Sequence, residues 1–167
     1  FDGDKRGDEE TVIDNCTFNG CESTKAGSAI YSKSYNFELS NSIFENMNGT
    51  DRSLLYVNMN EEGLKPKVIN CSFNNNKQRI EFISGKGASS ATSSITFQKC
   101  NFNGNFLTSS LEWLSVLQLQ YIQSGTITFD ECIFDGNGGR CITQDSNTIC
   151  KTIIRKCQFI NNRGYGG

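Results

Sequence analysis

One short phrase recurs along the chain and limits the folds open to it. Cys16-Thr17-Phe18 returns as Ser42-Ile43-Phe44, Cys71-Ser72-Phe73, Cys100-Asn101-Phe102, Cys132-Ile133-Phe134 and Cys157-Gln158-Phe159. Successive phenylalanines stand 26, 29, 29, 32 and 25 residues apart. Six copies at this spacing predict an array of like units, each unable to bury its apolar face alone.

The pattern around the phrase predicts strands. Three residues before each Cys or Ser stand Ile13, Leu39, Val68, Phe97, Phe129 and Ile154, all apolar. Directly before it stand Asn15, Asn41, Asn70, Lys99, Glu131 and Lys156, all polar. Cys and Phe share a face two residues apart, so the stretch reads as a period-two strand with one buried side. Two residues after each Phe comes Gly20, Asn46, Asn75, Gly104, Gly136 or Asn161, the residue types that tolerate a left-handed turn. The next position holds Cys21, Met47, Asn76, Asn105, Asn137 and Asn162, which predicts a stacked asparagine ladder over the last four copies.

A second apolar stretch follows in five copies: Ala29-Ile30-Tyr31, Leu54-Leu55-Tyr56-Val57, Ile80-Glu81-Phe82-Ile83, Val116-Leu117-Gln118-Leu119 and Cys141-Ile142. Two or three short strands per unit and no crossover helix predict a parallel β-solenoid of about six coils. A β-sandwich would not require one side chain at one register six times. Residues 1–10 read as a charged N-terminal segment and 11–167 as one solenoid domain whose last coil is incomplete.

Composition fits this reading and removes several functions. The 16 Gly and 19 Asn supply tight turns in a chain whose single proline is Pro66. There is no histidine, which excludes His-based acid–base catalysis, a Ser-His-Asp triad and His-ligated metals. Sixteen basic residues against 18 acidic ones argue against a nucleic-acid partner. No apolar run is long enough to insert as a membrane helix. The chain begins at Phe1, so a mature form or a segment of a longer protein is expected.

Four tetrapeptides, Phe73 to Asn76, Phe102 to Asn105, Phe134 to Asn137 and Phe159 to Asn162, have the form FxxN, and Gly27-Ser28-Ala29-Ile30 is one change from GGAI. In these the chain resembles the chlamydial-type polymorphic outer membrane proteins and the wider pectate-lyase-like right-handed β-helix surface proteins. The resemblance implies an all-β, right-handed parallel β-helix, an extracellular or cell-surface adhesin role and no catalytic residue. The first two copies depart from it, since Cys21 and Met47 stand where the closing Asn belongs.

Five cysteines, Cys16, Cys71, Cys100, Cys132 and Cys157, share the inward register beside the Phe ladder of Phe18, Phe44, Phe73, Phe102, Phe134 and Phe159. Stacked buried thiols are expected there, because disulfides between stacked parallel strands strain the usual geometry. Cys141 and Cys150 lie off that register around a polar loop and are the disulfide candidate; Cys21 is left open. No CxxC spacing occurs, so neither metal nor cofactor is expected. Asn15, Asn48 and Asn70 head glycosylation sequons, and Asn15 and Asn70 fall in the outward register.

Carboxylates cluster at Asp8-Glu9-Glu10, Glu61-Glu62 and around Asp130, Glu131 and Asp135. A polysaccharide-cleaving or carbohydrate-binding β-helix using paired carboxylates is the alternative function. Against it, Glu131 shares its register with Lys99 and Lys156, as in a solvated salt-paired row. Arg6-Gly7-Asp8 is an integrin-type tripeptide in a charged stretch, and Thr126 to Thr128 is too short for an ice-binding threonine face. An insertion in the longest coil carries Leu111, Trp113 and Leu114, which read as a local packing cluster or as an anchor for a partner. Neither end of the chain reads as a cap, so head-to-tail self-association or continuation in a longer chain is expected. The leading expectation is a non-catalytic structural or adhesive module of a surface fibre.

Overall fold

The computed structural model describes residues 2–3, 10–33, 36–49, 53–59, 64–84, 92–106, 115–122, 124–145 and 148–163. In chain order its strands are β1 (Asp2–Gly3), β2 (Glu10–Asp14), β3 (Thr17–Asn19), β4 (Ile30–Ser32), β5 (Asn36–Ser40), β6 (Ile43–Glu45), β7 (Ser53–Met59), β8 (Lys67–Ile69) and β9 (Ser72–Asn74). There follow β10 (Arg79–Ser84), β11 (Thr92–Gln98), β12 (Asn101–Asn103), β13 (Ser115–Gln120), β14 (Ser124–Asp130), β15 (Ile133–Asp135), β16 (Arg140–Gln144), β17 (Lys151–Arg155) and β18 (Gln158–Ile160).

Every third strand joins the same sheet. Sheet A is β1-β4-β7-β10-β13-β16, sheet B is β2-β5-β8-β11-β14-β17, and sheet C is β3-β6-β9-β12-β15-β18. Neighbours within each sheet pair in parallel, so the chain is a three-sided β-solenoid. The recurring phrase is sheet C: Phe18 pairs with Phe44, Phe44 with Phe73, Phe73 with Phe102, Phe102 with Phe134 and Phe134 with Phe159. Their rings stack at centroid distances of 4.5–5.1 Å, close to the strand spacing of roughly 4.8 Å. The second apolar stretch forms the inner face of sheet A, and sheet B supplies Leu39, Val68, Phe97 and Phe129. Edge-to-face contacts of Phe97 with Phe82 and Phe102 tie the three sheets into one core.

The structure corrects the reading of each phrase as one continuous strand. Sheets B and C are separate, joined by a two-residue corner such as Asn15-Cys16 or Lys99-Cys100. The first corner residue is left-handed in all six copies: Asn15, Asn41, Asn70, Lys99, Glu131 and Lys156 have φ of 50–56°. A single left-handed residue turns the chain while the backbone ladder continues through it, as where Asn70 N–H donates to Gln98 O at 2.8 Å. The sequence carried the mark of this corner. Inward Ile13 and Cys16 are three apart, an odd number, so the alternation slips phase between them. A second left-handed row follows sheet C at Gly20, Asn46, Asn75, Gly104, Gly136 and Asn161, with φ of 52–65°.

Two side-chain ladders satisfy the backbone at these turns. Asn76, Asn105, Asn137 and Asn162 each accept, at Oδ1, the backbone N–H of the corresponding residue one coil earlier, at 3.0–3.1 Å. Their Nδ2 groups donate to Phe44, Phe73, Phe102 and Phe134 carbonyls at 2.9–3.1 Å. At the B–C corner, Cys16 N–H donates to Ser42 Oγ at 3.1 Å, and Cys132 N–H to Cys157 Sγ at 3.4 Å. The thiols in turn donate to the carbonyl two residues back, as Cys100 does to Gln98 at 3.3 Å. Both ladders run one way, each coil serving the coil before it.

Candidate functional site

Most of the described carboxylates are taken up one at a time. Glu38 pairs with Lys67 at 3.3 Å, Glu81 with Arg79 at 3.4 Å, Asp130 with Arg155 at 3.0 Å and Glu131 with Lys156 at 3.0 Å. Glu45 accepts from Asn19, Asp135 from Asn161, and Asp14 from Ser40 and Asn41, whose hydrogen bonds hold its carboxyl below the ordinary range. Among the described residues no two carboxylates are cross-strand partners. Glu45 and Asp135 share a row of sheet C but are three strand steps apart, roughly 14 Å. Glycoside hydrolysis by paired carboxylates needs a separation of about 5–9.5 Å. Between these two a shallow groove is lined by Ser72, Asn74, Asn101, Phe102, Asn103, Ile133 and Asp135.

Sheet A carries a row that sequence reading passed over. Tyr31, Tyr56, Glu81, Gln118 and Thr143 are cross-strand neighbours on its outer side. The signal was the non-aliphatic residue inside each second apolar stretch. Tyr31 and Tyr56 stack at 5.1 Å with parallel rings, and Lys33 Nζ stands 5.6 Å from the Tyr31 centroid. Burial, with the Glu81 charge, raises the Tyr56 pKa. Gln118 Oε1, Thr143 Oγ1, Asn58 Oδ1 and Arg79 Nε are buried with no hydrogen-bond partner among the described residues. An aromatic step beside an amide oxygen and a guanidinium Nε that lack partners has the chemistry of a polar-ligand surface.

Cys71, Cys100 and Cys132 are fully buried, whereas Cys16 and Cys157 on the end coils are half-buried. A hydrogen bond with Cys132, together with burial, holds the Cys100 thiol well above its ordinary pKa. All eight cysteines are free thiols in the structure. Cys141 is buried in sheet A, while Cys150 stands next to sheet B, where its Sγ accepts from Gln144 Nε2 at 3.5 Å. No group of three His, Cys, Asp or Glu among the described residues is placed to hold a metal ion.

Asn15 and Asn70 occupy left-handed corners with exposed side chains, and Asn48 is exposed in the connection between β6 and β7. Asn70 Nδ2 donates to Asn41 Oδ1 at 2.8 Å. Leu111, Trp113 and Leu114 lie outside the described residues, as do Arg6-Gly7-Asp8 and Glu61-Glu62.

The last described coil exposes two of its apolar residues. Ile154 and Phe159 are 51% and 47% exposed, though Phe129 and Phe134, their cross-strand partners one coil earlier, are fully buried.

Three parallel sheets wound around stacked rings, cysteines and asparagines define a β-solenoid scaffold. The chain matches the family described as right handed beta helix region over residues 5–167, and it belongs to that family. The family contains both enzymes and non-enzymes. No curated protein and no solved structure matches the chain.

Proposed function

We propose that this chain is a non-catalytic structural or adhesive module at the cell surface or outside the cell, and that a further coil covers its C-terminal end. The observation that carries this reading is the exposed cross-section at Ile154 and Phe159. A solenoid interior left bare is an apolar patch beside a sheet edge with unpaired backbone groups, and both favour addition of another coil. The individually paired carboxylates support a scaffold over a hydrolase or lyase. Exposed sequon residues at Asn15, Asn48 and Asn70 support an extracellular setting, with glycans attached there.

The test duplicates residues 139–163 immediately after Arg163, which adds one coil with its own Phe and ladder Asn. Urea denaturation should give a higher midpoint and a larger m value than the parent chain. Equal midpoints would mean that the last coil does not need a neighbour. For the glycans, intact mass of the chain secreted from eukaryotic cells should drop after glycosidase treatment; an unchanged mass removes them.

A second reading, carbohydrate binding without cleavage, is favoured by the Tyr31–Tyr56 step beside Gln118 and Arg79. A glycan-binding screen comparing the parent chain with Tyr56→Ala tests it. Binding lost in the variant supports the reading, and binding by neither chain ends it.

A further inference from the structure

Four Asn-Gly pairs stand in the chain, Asn19-Gly20, Asn48-Gly49, Asn103-Gly104 and Asn137-Gly138, and the fold treats one of them differently. In three the glycine N–H is fixed in the ladder between coils: Gly20 donates to Glu45 O at 3.1 Å, Gly104 to Asp135 O at 2.9 Å and Gly138 to Asn105 O at 2.9 Å. Their asparagines are held as well. Asn19 and Asn103 end the strands β3 and β12, and the Asn137 amide is buried in its own ladder. At Asn48-Gly49 the ladder lapses. Lys77, Phe106, Gly138 and Arg163, at the register of Asn48, each donate from N–H to the coil before, but Asn48 N–H and Gly49 N–H meet no backbone acceptor among the described residues. Asn48 is also exposed.

An Asn-Gly pair left free in this way carries its own reaction. The Gly49 nitrogen attacks the Asn48 side-chain Cγ and gives up its proton. The Cγ–Nδ2 bond breaks, ammonia leaves, and a succinimide ring closes between the two residues. Water then opens that ring at either carbonyl, leaving aspartate or isoaspartate. Glycine suits the attack, since no Cβ stands beside the nucleophilic nitrogen and its backbone turns most freely. The structure gives Gly49 a separate reason to be glycine. A Cβ there would collide with the Gln78 amide, whose Oε1 accepts from Ser28 Oγ at 2.6 Å two coils away.

We infer that Asn48 is a modification site to which the fold directs spontaneous deamidation, and that glycosylation and deamidation compete for its side-chain nitrogen. The deamidation stands on the backbone hydrogen bonding alone; the competition rests on the reading that the sequon Asn48-Gly49-Thr50 carries a glycan. A glycan on Nδ2 takes away ammonia as the leaving group, and an aspartate at position 48 no longer accepts a glycan. Deamidation adds a negative charge to a chain of net charge −2. Isoaspartate also routes the backbone through the side chain, which lengthens the connection between β6 and β7 and moves Gly49 against Gln78.

The test ages the full, unglycosylated chain in mildly alkaline buffer and locates aspartate and isoaspartate by peptide mapping. In the folded chain Asn48 should convert at least about tenfold faster than Asn19, Asn103 and Asn137, whose glycines must first leave a ladder hydrogen bond. In strong urea that advantage should largely vanish, because all four pairs are then free. Equal rates in the folded chain, or an advantage of the same size after unfolding, would overturn the inference. Asn48→Gln keeps an exposed amide and should remove the fast site alone; an unchanged yield of isoaspartate would overturn it too. For the competition, the chain secreted from eukaryotic cells is aged in the same way. The intact glycopeptide containing Asn48 should persist while its bare counterpart turns acidic, and loss of both together overturns the competition. Absence of any glycan at Asn48 ends the competition and the glycan reading there, and the folded-state rates still decide the deamidation.

Discussion

Asn137 Oδ1 accepts two hydrogen bonds from Asn105, one from the backbone N–H at 3.0 Å and one from Nδ2 at 2.9 Å, across 32 residues of chain. Each amide in this row is acceptor to the coil before it and, through Nδ2, donor to a phenylalanine carbonyl of that same coil. A buried amide used on both sides fixes which coil residue faces which.

Asn105→Ala should be costly for that reason. It leaves Asn76 N–H without its acceptor and removes the Nδ2 donor from the Phe73 carbonyl, both in the interior. The expected loss is about 2–4 kcal/mol in urea denaturation. Asn162→Ala, on the half-buried last rung, should cost less than half as much.

Ring deletions should show the same gradient. Phe102 is fully buried between Phe73 and Phe134, and Phe102→Ala should lower stability by about 3–5 kcal/mol. Phe159→Ala should cost about 1–2 kcal/mol, because nearly half of that ring already meets solvent. Equal losses at the two positions would contradict that exposure.

Alkaline pH should weaken the core through its thiols. Burial pushes the Cys71 and Cys141 thiols up to about 11, from an ordinary value of 9.0. A folded pKa above the unfolded one means that the stabilisation is complete below pH 9 and is lost as pH rises through 11. Unfolding free energy should fall as pH rises above 9. Cys71→Ser should reduce that slope, since Ser42 already places a hydroxyl at the same register.

Two glycines with positive φ should respond differently to alanine. At Gly125, with φ 107°, an added Cβ would collide with the Ser93 backbone carbonyl in the neighbouring strand. Gly125→Ala should cost more than about 3 kcal/mol or prevent folding of the β11–β14 pair. At Gly20, with φ 65°, the Cβ would meet open space, and the loss should be about 1–2 kcal/mol from the left-handed backbone alone. Thermal denaturation of the two variants compares them directly.

The sheet C register, the ring stack and the turn after each Phe could be read from the chain because one residue type repeats at one position. The B–C corner was harder, since its left-handed residue changes from Asn70 to Lys99 to Glu131 and its side chains are merely polar. Only the odd spacing from Ile13 to Cys16 records it. The outer row of sheet A escaped for a different reason. Tyr31, Tyr56, Glu81, Gln118 and Thr143 do not repeat one residue type, and their alignment emerges only once strands of different coils are laid side by side.

Every passage from sheet B to sheet C uses two residues, whereas the passages out of sheets A and C vary from coil to coil. The corner thus acts as a fixed joint, and all differences in coil length are expelled to the other two edges. A rod built this way can lengthen, shorten or exchange its edge loops without shifting a single rung of its interior. Its surface is free to diversify while its frame stays constant.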